Sequence, residues 1–182
     1  MSSVNMQADN SARLIIVMGI SGCGKSALAQ AIAEHLPATY IEADDHHSPA
    51  AKQKMAAGSP LTEQDRAPWI ARLLAVVAQQ LQQGNHCVLA YSGLKAHHRA
   101  QFLSLSDNSC FIHLDIDVDE IKRRLSAREN HFFNPSLLDS QLQALEPAGP
   151  YEQLHCISQS LPPQQLLAKA MEILHANDKT AH

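Results

Sequence analysis

Residues 14–29 read LIIVMGISGCGKSALA, an apolar run of five, then a turn with three glycines, one lysine and two serines, then a helical pattern. A buried strand that leaves through so flexible a turn has a use if the turn must wrap an anion. Glycines let the backbone come close with no Cβ in the way, and the start of the next helix favours negative charge. Gly19-Ile20-Ser21-Gly22-Cys23-Gly24-Lys25-Ser26 meets GxxxxGK[ST] at every required position. In that motif backbone amides cradle a polyphosphate, the lysine reaches the β- and γ-phosphates, and the following hydroxyl ligates Mg²⁺. A strand before and a helix after separate it from a chance glycine-rich turn. A nucleoside triphosphate is therefore expected, held by Gly19, Ser21, Gly22, Cys23, Gly24, Lys25, Ser26 and Ala27, with Ser26 as the metal ligand. A lipoprotein export signal ending at Cys23 is the rival. It fails because the apolar run is short, the preceding segment is acidic as well as basic, and a helix follows at once.

Outward from this stretch, apolar runs of strand length alternate with helical patterns. The strand candidates are Leu14 to Met18, Thr39 to Ile41, His86 to Tyr91, Ser109 to Leu114 and Leu154 to Ile157. One helix shows Leu28, Ala31, Ile32, His35 and Leu36 on a face and ends before Pro37. Another is announced by Thr62 with Asp65 and runs through Trp69, Leu73 and Val77 to a stop at Gly84. Ile121, Leu125 and Arg128 mark a further crossover helix, and Leu166, Leu167, Met171 and Leu174 the last. This alternation predicts an α/β three-layer fold: about five parallel strands, helices on both faces and a small lid. The expected boundaries are a tail over 1–12, one domain over 13–177 with a lid at about 129–138, and a tail over 178–182. Segments 43–61 and 129–150 are polar, proline-marked and poorly patterned. Beyond the carboxyl ends of strands, such insertions are candidates for substrate cover.

The bulk chemistry narrows the function. A chain of 182 residues with a formal charge of −4 and scattered Lys and Arg has no basic stripe for a phosphate backbone. No run approaches the roughly 20 apolar residues of a membrane span. Cys23, Cys87, Cys110 and Cys156 form no CxxC pair, which favours reduced thiols in a cytoplasm. The pairs His46-His47 and His97-His98 invite a metal, but adjacent residues do not share a helix or strand face and no cysteine is near, so no structural zinc is expected. A switch GTPase would carry an NKxD-like guanine reader after a late strand, and Asn177-Asp178-Lys179 falls in the tail instead. Small-molecule kinase leads among the triphosphate users. On the acceptor side Glu42-Ala43-Asp44-Asp45-His46-His47 leaves the second strand beside the cradle, and Asp44 is the candidate to orient or accept the proton of an attacking hydroxyl. Glu42 and Asp45 are the alternatives.

Three further pieces, EADDHHSPAAKQKMAAGSPLTEQDRAPWI, SGLKAHHR and RLSARENHFFNPSLLDSQLQALEP, together resemble in order and spacing the gluconokinases of the P-loop, nucleoside-monophosphate-kinase-like type. The likeness runs from about Leu14 to Pro147. It implies ATP and Mg²⁺, D-gluconate as acceptor, 6-phosphogluconate as product, a cytoplasmic enzyme and commonly a homodimer. It also implies that Arg124 and Arg128 are lid-side arginines over the adenine and the transferring phosphoryl group, a task suited to a planar, forked guanidinium. Arg66, Lys95 and Arg99 become candidate holders of the acceptor carboxylate, with His47 and His131 on the same side. The chain departs from the family pattern where Ala51 replaces an asparagine, His98 a tyrosine and Ala100 an aspartate. Two other functions stay open at this stage: a kinase of another small hydroxy acid, shikimate-like or another aldonate, and a nucleotide-binding protein with a degraded acceptor site.

Overall fold

The computed structural model describes residues 12–126, 135–149 and 152–180. Five strands, β1 (Leu14–Met18), β2 (Thr39–Glu42), β3 (Cys87–Tyr91), β4 (Ser109–Asp115) and β5 (Leu154–Ser158), form one parallel sheet in the order β2-β3-β1-β4-β5. The helices are α1 (Lys25–His35), α2 (Pro49–Ala56), α3 (Glu63–Gln82), α4 (Ala96–Leu103), α5 (Val118–Ser126), α6 (Pro135–Ala144) and α7 (Pro163–Thr180). Every expected strand is present, to within one residue at each end.

The central strand explains the three layers. All five residues of LIIVM are buried, and side chains alternate between the two faces of a strand. Ile15 and Val17 pack with Leu28 and Ile32 of α1, Ile121 of α5, Leu138 of α6 and Leu174 of α7. Leu14, Ile16 and Met18 pack on the other face with Trp69, Leu73 and Val77 of α3 and Phe102 of α4. A strand covered on both faces must be apolar throughout. Local chemistry sets the start of α3: the Thr62 side chain accepts from the Asp65 amide, and the Asp65 carboxylate accepts from the Thr62 amide. Further hydrogen bonds to Asp65, from Lys54 first and then from Thr62, hold its carboxyl down at about 2. None of the described helices is long and apolar enough to cross a membrane.

The two poorly patterned segments are more regular than expected. Residues 43–61 hold a 3-10 turn at Ala43–His46 and then α2, capped by the Ser48 side chain accepting from the Ala51 amide. Of the expected lid at 129–138, residues 129–134 lie outside the described residues; 135–138 are the first turn of α6, with Leu138 buried in the core. Helix α7 continues to Thr180, three residues past the expected domain limit.

Arg99 is the main correction on the acceptor side. It is wholly buried, and its guanidinium donates to both Glu152 carboxylate oxygens at 2.9 Å and to the carbonyls of Gly93, Glu146 and Pro147 at 2.8–3.1 Å. With Nε and both terminal nitrogens engaged, no donor remains for an acceptor carboxylate. Arg99 ties α4 to the segment leading into β5. Removing one partner of a buried pair strands the other charge. Arg99→Met is therefore expected to lose about 3–5 kcal/mol of stability in urea unfolding at pH 7. Burial pushes the Glu152 carboxyl up, but the Arg99 hydrogen bond and the Gly149 amide outweigh it and hold the group below 4.5. A depressed folded value means that the stabilisation is present above the unfolded value and lost as pH falls through the folded one. The gap between wild type and Arg99→Met should accordingly narrow below pH ~4.5; a gap under about 1 kcal/mol at pH 7 would place Arg99 outside the stabilising frame.

Candidate active site

The turn after β1 is built for close approach. Gly19 has φ +151°, and a Cβ there would lie 2.7 Å from Cys23 Sγ and 3.1 Å from the Leu114 carbonyl oxygen. Gly24, at φ +91°, immediately precedes α1 in the left-handed conformation that L side chains adopt only with strain. The turn carries Lys25 and Ser26 into the first turn of α1. Lys25 is only 8% exposed yet lines a cavity of about 780 Å³. Ser21, Gly22, Gly24, Ser26 and Ala27 line the same cavity, and Cys23 is buried behind them. A side chain with no obvious sequence signal, which itself lines the cavity, holds the loop. Gln141 of α6 accepts from the Ser21 amide at 2.8 Å and donates to Ser21 Oγ at 3.0 Å.

A second wall of the cavity, where the acceptor is expected, comes from the 3-10 turn after β2. Trp69 Nε1 donates to the Ala43 carbonyl at 2.8 Å, and Arg72 donates to the His46 carbonyl, so α3 pins both ends of the turn. His47 stacks on Trp69 with ring centroids 4.0 Å apart. Trp69 is thus core and platform at once. Burial pushes the His47 imidazole below its ordinary value, against the pull of Asp44, whose Oδ1 lies 3.8 Å from His47 Nε2. His47 Nδ1 is buried with no hydrogen-bond partner. The Asp44 side chain stays 69% exposed and faces the cavity together with Asp45 and His47. At the edge of the cradle the Tyr40 hydroxyl donates to Glu42 Oε2 at 2.7 Å and also meets the Ser26 hydroxyl. Glu42 is thereby engaged, which favours Asp44 over it as the free carboxylate.

Of the three basic candidates, Arg66 alone lines the cavity. Its Nη1 donates to Glu63 Oε1 at 2.8 Å. Lys95 donates to Glu146 Oε1 at 3.0 Å, while Glu146 Oε2 accepts from the Ala96 amide, so the pair fastens the start of α4. The backbone of Arg124 lies on α5; Arg128 and His131 lie outside the described residues. Although adjacent in sequence, His97 and His98 point their Nε2 atoms at the same Glu63 oxygen, at 3.3 and 3.2 Å. The first turn of α4 is short enough, and imidazole long enough, for neighbouring positions to converge on a third group. Glu63, more than thirty residues upstream, gave no hint of this.

Known proteins resemble this chain in sequence and fold. Residues 14–148 match a family described as an AAA domain. A gluconokinase of Gluconobacter oxydans is 37% identical over 166 residues, covering 91% of this chain and 93% of that protein. Among solved structures, a gluconokinase from Sinorhizobium meliloti superposes with a TM-score of 0.81 at 31% identity, covering 94% of this chain and 96% of that one. A sugar kinase from a Janibacter species gives 0.85 at 36%, covering 90% and 95%. With relatives alike over nearly their whole length in both sequence and fold, this chain belongs to the gluconokinase family of P-loop kinases.

Proposed function

We propose that the protein transfers the γ-phosphoryl group of ATP to D-gluconate, giving ADP and 6-phospho-D-gluconate. The observation that carries this is the sharing of one cavity by Lys25, Ser26, Asp44 and Arg66. The acceptor hydroxyl oxygen attacks the γ-phosphorus in line as the bond to the β,γ-bridging oxygen breaks. Asp44 orients that hydroxyl and takes its proton. Lys25 holds charge on the phosphates, and Arg66 pairs with the sugar acid's carboxylate. Hard oxygen donors suit Mg²⁺, and the Ser26 hydroxyl and the Asp45 carboxylate that line the cavity fit it. When bound, that ion would neutralise charge on the β- and γ-phosphates. The catalytic contribution of the chain is then positioning and charge stabilisation.

On the strength of the family resemblance we assign Arg124 and Arg128 to the nucleotide side, with Arg128 at the transferring group, and His131 to the acceptor side of a lid at about 129–138. Slower amide exchange across 129–138 with a non-hydrolysable ATP analogue supports a lid, and unchanged exchange counts against it. The same resemblance gives a cytoplasmic homodimer, for which sedimentation of the purified protein tests the subunit number.

A coupled ADP-release assay across gluconate, other aldonates, shikimate and nucleoside monophosphates tests the substrate. Gluconate is expected to have the highest kcat/KM. Turnover with shikimate or another aldonate instead would move the acceptor assignment, and ATP binding without turnover of any acceptor would leave a nucleotide-binding protein.

A further inference from the structure

We propose that Glu63, His97 and His98 form a binding site for a divalent transition metal of the zinc type, outside the catalytic cavity and separate from the Mg²⁺ site. Glu63 opens α3, and the two histidines lie in the first turn of α4. The three donor atoms all lie within 4.8 Å of one another. Both histidine Nε2 atoms approach one oxygen, Glu63 Oε2, at 3.3 and 3.2 Å.

These separations have a chemical meaning. In a tetrahedral zinc site with bonds of about 2.0–2.1 Å, neighbouring ligand atoms are about 3.3–3.4 Å apart. The two carboxylate–imidazole separations already match such an edge, and the imidazole–imidazole edge, within 4.8 Å, is the one a metal would set by turning the exposed His97 ring. Two imidazoles and one carboxylate with a fourth position open to water is a known zinc ligand set. Imidazole nitrogen selects zinc, cobalt or nickel over Mg²⁺, which prefers oxygen.

The surroundings also resemble a supported site. Glu63 offers Oε2 to the histidines while its other oxygen, Oε1, accepts from Arg66 at 2.8 Å. A ligating carboxylate is commonly held in this way by an outer partner that fixes its orientation. His98 is 5% exposed, so its ring is set by packing, whereas His97 is exposed and able to adjust. The cluster does not line the catalytic cavity, but Arg66 does. A cation on Glu63 would thus lie one side chain away from the proposed acceptor arginine, as a brace between α3 and α4.

The test is direct binding of Zn²⁺ to the purified full-length protein without nucleotide, by calorimetry, with Co²⁺ as a spectroscopic substitute. One zinc per chain is expected, with the intense visible bands of tetrahedral cobalt. H97A is the leading variant, since His97 is exposed and its loss should spare the fold; E63Q is the second. Each should weaken zinc binding at least about 10-fold, the lower bound set by losses of mere outer partners. Far-UV circular dichroism confirms that each variant is folded. C156S is the control, because Cys156 Sγ lies 3.8 Å from His113 Nδ1 and could bind zinc on its own. Zinc binding that is absent in the wild type, unchanged in both H97A and E63Q, or abolished by C156S overturns the proposal.

Discussion

Asp44→Asn is expected to bind ATP with unchanged affinity and to turn over about 10²- to 10⁴-fold more slowly, the usual contribution of a positioned general base. The geometry separates the two effects. Asp44 is 69% exposed, and its only ion-pair neighbour among the described residues is His47, at 3.8 Å. The turn that presents it is held by the Trp69 and Arg72 side chains donating to its backbone carbonyls, which does not involve the Asp44 carboxylate. An asparagine fills the same volume, so neither the turn nor the cradle has reason to move. The amide still orients a hydroxyl but takes no proton, and the loss falls on kcat. Calorimetry with ATP and the coupled assay with gluconate, run on the same preparation, measure the two quantities. Near-normal kcat would remove Asp44 from the role and turn attention to Asp45, which lines the same cavity.

The parts of the molecule that were legible from the chain alone are those whose signal is local. LIIVM declares a strand covered on both faces, Thr62 and Asp65 declare a helix start, and the glycine spacing of residues 19–24 declares a tight strand-to-helix turn. Each needs only neighbours within about one helical turn. What was missed depends on groups far away in sequence. Arg99 and Lys95 look like anion holders because both are basic and near a strand end. Only the fold reveals that Glu152 and Glu146 already occupy them, across 53 and 51 positions. Gln141 reaches Ser21 across 120 positions, and no periodicity announces it. The helix α6 was hidden for a different reason: it is short, opens on a proline and buries mainly one residue, Leu138, so its apolar stripe is too thin to read. Departures from local pattern thus mark the acceptor half of the protein, where long-range ion pairs replace periodic packing.

Lys25→Ala is expected to lose both ATP affinity and turnover, with kcat down at least about 10²- to 10³-fold, the loss typical of deleting one donor aimed at transition-state charge. No carboxylate pairs with Lys25 among the described residues, although the residue is only 8% exposed. Holding a cation in that position costs desolvation, and among the described residues no carboxylate offsets it. A triphosphate in the cavity would supply the missing negative charge, so the interaction is largest when the ligand is present and strengthens as charge moves to the β,γ-bridging oxygen. Removing the ammonium therefore harms the liganded protein and spares the free one. The melting temperature of the nucleotide-free variant should stay level or rise slightly, since an unpaired, desolvated charge is gone. Lys25→Arg is not expected to restore turnover, because a planar fork cannot replace a compact ammonium at the first turn of α1. Unaltered ATP affinity in a folded Lys25→Ala protein would show that residues 19–26 do not hold the nucleotide, and the phosphoryl-transfer mechanism built on them would fall with it.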